Sequence, residues 1–170
     1  FPGHGPVIPK GKETLRRYMR HRIEREEQIL ALFMCHPSDK QSIMQATAYP
    51  QEYLEKTRGR VRPGQHLWTL RLFVHTLYED YSLTAYPAVA RGLLLHLQKL
   101  ATPASDYVKP PFPPTEPLLT SPFASHPPVV QCIRIPSYQY SGIRHYPDLA
   151  RNEKEWGELL DVPWQLVSLM

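Results

Sequence analysis

The sequence predicts a mainly α-helical fold: a small helical bundle containing a helical hairpin, followed by a long proline-rich extended arm and a C-terminal helix. Two observations carry this expectation. Apolar residues recur at helical spacing in long stretches before residue 101, the pattern of amphipathic helices. Ten of the 19 prolines then crowd between Pro103 and Pro136, where each fixes φ and removes a backbone donor. At 170 residues, with 42% hydrophobic and 21% charged side chains, the chain is long enough for one domain with a core of its own. The expected divisions are an extended lead-in at 1–11, a helical domain at 12–101, the arm at 102–147, and a helix with an apolar tail at 148–170.

The lead-in holds Pro2, Gly3, Gly5, Pro6 and Pro9, too broken for a helix or a central strand. From Lys12 to Met34, Leu15, Tyr18, Met19, Ile23, Ile29, Leu30 and Phe33 fall on one helical stripe;. Arg22 and Glu26 sit within that stripe, one turn apart, where they can pair with each other or with a partner on the buried side. The opposite face carries Arg16, Arg17, Arg20, Glu24, Arg25 and Glu27. Pro37 ends the helix. Ser38 and Gln41 have capping-box spacing for a short helix over 39–47, and Pro50 suits the first turn of another through Lys56.

Gly59, Pro63 and Gly64 mark a loop;. A second strong helix is expected over 65–79, with Leu67, Leu70, Phe73, Val74, Leu77 and Tyr78 on its main face and Trp68 and Leu72 off it. Thr84 can cap a third over 85–100, with Pro87 tolerated in its first turn. Tyr86, Val89, Leu93, Leu97 and Leu100 form its stripe, while Leu94 and Leu95 point elsewhere. The connection is short, so these two helices should form an antiparallel hairpin.

The arm has the backbone of a linker and the side chains of an interface. Phe112, Leu118, Leu119 and Phe123 lie among the prolines, and disordered segments are poor in such residues. Residues 129–135 can form one short strand at a sheet edge. Asp148 can cap a last helix to Leu160. The chain then runs through Val162, Trp164, Leu166, Val167, Leu169 and Met170, a terminus greasy enough to predict docking.

Composition and motifs narrow the chemistry. The formal charge is +4, which permits anionic partners without requiring them. The two cysteines, Cys35 and Cys132, lie far apart and read as free thiols rather than a secreted disulfide framework;. The eight histidines show no metal-ligand spacing;. Neither a phosphate-binding glycine loop nor a nucleophile elbow occurs, and no cofactor or metal site is expected. Leu77-Tyr78 is followed by Glu79, so the Leu-Tyr-Arg signature of certain small helical accessory proteins is absent. No apolar run is long enough to span a bilayer.

The expected function is therefore that of a non-catalytic structural accessory subunit of a large mitochondrial complex, such as a respiratory-chain or ATP synthase assembly. A start at Phe1 fits removal of an organellar presequence;. The expected partner-binding residues are Phe112, Leu118, Leu119 and Phe123 in the arm, Leu94 and Leu95 on the hairpin, and Trp164 and Leu166 in the tail. The loop residues Lys56, Arg58, Arg60 and Arg62 form a candidate contact for RNA or anionic lipid. The alternatives are a mitochondrial ribosomal protein and, more remotely, a small enzyme with Cys35 as its nucleophile.

Overall fold

A computed structural model describes residues 7–101, 130–132, 157 and 160–167. Helix α1 (Gly11–Phe33) ends in a tightened turn, with the Met34 and Cys35 N–H groups donating to Ala31 O and Leu32 O. Helix α2 (Lys40–Ala48) is capped by Asp39, whose carboxylate accepts from the Ser42 N–H at 3.2 Å and the Ser42 hydroxyl at 2.6 Å. The expected Ser38 cap is thus displaced by one residue, because a carboxylate makes the stronger cap at a positive helix end. Helix α3 (Pro50–Thr57) begins on Pro50.

The expected helix over 65–79 is a strand followed by a helix. Strand β1 (Leu67–Thr69) leads straight into α4 (Leu70–Leu77), and the Thr69 hydroxyl accepts from the Leu72 N–H at 3.2 Å to start the helix. Trp68, off the helical stripe, is fully buried because strand geometry turns it inward. A 3-10 turn (Leu83–Ala85) precedes α5 (Tyr86–Ala101), which packs on α4 as the expected hairpin. His75 and Tyr86 meet edge to face at its closed end, with ring centroids 5.3 Å apart.

Strands β2 (Val130–Cys132) and β3 (Pro163–Leu166) complete a three-stranded antiparallel sheet of order β1-β3-β2. Trp68 pairs with Trp164, and Val130 with Leu166. The strand expected within 129–135 is therefore present, at an edge. The apolar tail occupies the centre of the sheet: Trp164 and Leu166 alternate inward, and Val162 is buried just before them. Of the expected last helix, Gly157 and Leu160 are helical. The rest of it lies outside the described residues, as does the arm apart from β2. Among the described residues, no helix is long and apolar enough to cross a membrane.

The core gathers at the C-terminal end of α1. Trp68 stacks on Phe73 at 5.1 Å, Phe73 meets Phe33 edge to face at 5.1 Å, and the Trp68 indole N–H donates to the Cys35 carbonyl at 3.1 Å. That carbonyl has left the helix ladder, so the indole supplies a donor it would otherwise lack. Gly64, at φ +74°, turns the chain so that its N–H reaches Leu166 O at 2.7 Å. Replacement of Trp68 by alanine should lower unfolding free energy by about 3–5 kcal/mol in urea titrations. Trp68→Phe should restore most of the packing but still cost about 1–3 kcal/mol, because a buried carbonyl loses its donor.

Candidate functional site

Helix α1 has two halves with different surroundings. From Glu26 to Phe33 its stripe is buried against the rest of the chain. From Gly11 to Arg22 the same stripe is left largely uncovered by the described residues, and Leu15 is 64% and Tyr18 62% exposed. Leu15 stands about five turns before Phe33, hence on the same side of the helix. Met19 and Ile23, half-buried, fill the stripe between them. Around it, Lys10, Lys12, Arg16, Arg17, Arg20 and Arg22 face a single acid, Glu13. The projecting half is thus a basic amphipathic helix.

The junction between the halves is an ion cluster. Glu26 is 2% exposed and is the buried charged residue of the described core. Its carboxylate accepts from the Lys99 ammonium at 2.6 and 2.8 Å and lies 3.1 Å from His96 Nδ1. Both partners belong to α5. Of the two expected arrangements, Glu26 takes the partner on the buried side: it turns to cations brought by α5, while Arg22 is exposed. The in-sequence alternative was visible, but the distant partner was not. Arg25, expected on the solvated back face, is half-buried with its guanidinium 4.5 Å over the Tyr78 ring.

The basic loop is exposed as expected at Lys56, Arg58, Arg60 and Arg62. Lys56 pairs with Glu52 one turn back. Gly59 takes φ +77° at the loop tip, and Val61 packs on the core between two exposed arginines. The loop follows α3, whose Thr57 contacts Met34. It therefore sits at the far end of α1 from the projecting half, and the two basic clusters form separate surfaces.

Three of the expected partner-binding positions are occupied within the chain. Leu94, Trp164 and Leu166 are buried in its own core, and Leu95 is half-buried. Helical and strand periodicity mark these residues as apolar, but they do not say whose surface covers them. The covering elements, β1 and β2, come from remote parts of the chain. Phe112, Leu118, Leu119 and Phe123 lie outside the described residues.

Cys35 is enclosed rather than poised. Its thiol lies 3.4 Å from the Ala31 carbonyl and 3.3 Å from the Tyr53 hydroxyl. Burial pushes the thiol up from its ordinary value, against a smaller lowering by the Tyr53 hydrogen bond. Burial also pushes the Tyr53 phenol up to about 12. A nucleophilic cysteine needs the opposite shift and access to substrate. His36, next in sequence, instead meets His66 edge to face at 5.6 Å, and burial followed by the His36 charge lowers the His66 pKa. Among the described residues, no three histidine, cysteine or acidic side chains converge on a metal position. An open cleft between α1 and the α2–α3 corner is lined by Glu24, Glu27, Gln28 and Tyr49. There burial, then Glu24 and Glu26, raise the Glu27 pKa.

The Glu26 cluster makes a clear energetic prediction. Lys99→Met should leave a buried carboxylate without its ammonium partner. Because Lys99 is itself about a third exposed, the loss should be about 2–3 kcal/mol rather than the larger value of a fully buried pair;. The double change Glu26→Leu/Lys99→Met should recover at least half of it, measured by chemical denaturation.

No family model and no solved structure matches this chain.

Proposed function

We propose that this protein is a non-catalytic structural accessory subunit, held in a larger assembly through the projecting half of α1. The observation that carries this reading is the uncovered stripe of Leu15 and Tyr18 on a helix otherwise packed along the same face. An isolated chain gains nothing from leaving that stripe in water, whereas a subunit buries it on assembly. The apolar residues of the arm, Phe112, Leu118, Leu119 and Phe123, offer a second contact of the same kind. Proline has already restricted that segment, so ordering it on a partner costs less entropy.

The assembly is proposed to be a mitochondrial respiratory-chain or ATP synthase complex. That assignment rests on the sequence, and the burial of Trp164 and Leu166 in the chain's own core removes one of its supports. The exposed arginines Arg58, Arg60 and Arg62 favour a second reading, a mitochondrial ribosomal protein whose loop meets RNA phosphate;.

Size fractionation of gently lysed native mitochondria tests both. The accessory-subunit reading expects the chain in a large complex that survives raised salt, because apolar burial is little screened. Loss in proportion to salt, with ribosomal RNA in the same fraction, would support the ribosomal reading. Migration as a free monomer would overturn both. Reversal of Arg58 and Arg60 to glutamate should leave the helical content intact. It should weaken incorporation only if the loop is part of the contact.

A further inference from the structure

We infer that the projecting half of α1 seats an acidic amphipathic helix of another protein chain. This rests on the accessory-subunit reading and gives the docking partner its chemistry. The stripe Leu15, Tyr18, Met19, Ile23 has the three- and four-residue steps that a second helix meets ridge into groove. It is continuous with the face that α1 already buries from Glu26 onward, so the partner extends an existing seam. The charges specify the partner further. Within the chain the stripe carries Glu26, and α5 answers it with Lys99. One turn earlier the stripe carries Arg22, exposed. A helix continuing the seam must bring a carboxylate to that position. Beside the stripe, Arg20, one turn before Ile23, is also exposed and favours acidic residues next to the apolar contact.

Other occupants fit less well. A flat bilayer approaching Leu15 would first meet the domain, which packs on the same side of α1 farther along. Nucleic acid would use the arginines and leave Leu15 and Tyr18 in water. Residues 102–129 offer only Asp106 and Glu116 as acids. The chain's own acidic stretch, Asp148 to Glu158, enters β3 through Asp161. Arg71 holds that carboxylate at 2.7 and 3.2 Å. Arg71 is two residues before Phe73, which packs on Phe33 at the end of α1, about 27 Å from Leu15 along the helix.

The test places photoreactive benzoylphenylalanine at position 18 of the full chain in cells that make its native complex, with the adduct mapped to residue level. The expected adduct is a segment of another chain with apolar residues at helical spacing and a net negative charge. The same probe at Arg17, on the opposite face, should give at least tenfold less. Arg20→Glu/Arg22→Glu should cut the position-18 yield at least tenfold while leaving the circular dichroism spectrum unchanged. An adduct on lipid, on RNA, on residues 102–156 of the same chain, or on a basic protein surface would overturn the inference. So would an unchanged yield in the charge-reversed variant, or no adduct at all. If the chain still migrates in a large complex under any of those outcomes, the accessory-subunit reading stands and only the partner chemistry falls. If it migrates as a monomer, that reading falls too.

Discussion

A carboxylate removed from water has to be met by cations, and in this protein the requirement falls on Glu26. Lys99 and His96 meet it from α5, 73 and 70 residues away in sequence. Three consequences follow for the rest of the molecule. The pair fixes the rotation of α1, because only one face can present Glu26 to α5. It fixes the C-terminal turn of α5, since Lys99 and His96 lie on adjacent turns of one face. It also sets the border at which α1 changes from a packed helix to a projecting one. The pair's contribution to stability is modest, since desolvation offsets most of the attraction. Its larger effect is on geometry, because other rotations of α1 would strand a buried charge.

The opposite end of α1 is held by different physics. Trp68 closes over Phe73 and donates to the Cys35 carbonyl, so the helix terminus, the start of α4 and the sheet share one packed junction. Strand β3 lies between β1 and β2 and brings three remote parts of the chain onto that junction. The segment between Ala101 and Val130 therefore begins and ends on the same core: Leu100 and Val130 are both buried in it. With the C-terminal strand at the centre of the sheet, truncation before Pro163 removes the partner of both neighbouring strands at once.

The helices were largely legible in the sequence because their signals are local. The stripe of α1, Pro50 at the start of α3 and the stripe of α5 each depend on residues within a few turns. The sheet was legible only in part. Residues 67–69 carry an apolar pattern that suits a helix as well as a strand, and pairing with Pro163–Leu166 decides between them. No local rule exposes a partner nearly 100 residues away. The same limit explains Leu94, Trp164 and Leu166. Their hydrophobicity demands burial, but nothing local says that the cover comes from this chain rather than another. For the candidate site, the stripe of Leu15 and Tyr18 and the arginines around it were visible from spacing. That the described residues leave half of the stripe uncovered was not, because it depends on how far α2, α3 and the other packed elements reach along α1.

On the accessory-subunit proposal, α1 is one continuous helix that is packed from Glu26 onward and open to a partner before it. Hydrogen exchange resolved along α1 tests this most directly. In the isolated protein, amides of residues 29–33 should exchange only through global unfolding, while those of 15–22 should exchange much faster by fraying. In the native complex, protection at 15–22 should rise towards that of the packed half. Uniform protection along α1 in the isolated chain, or no gain at 15–22 in the complex, would contradict it.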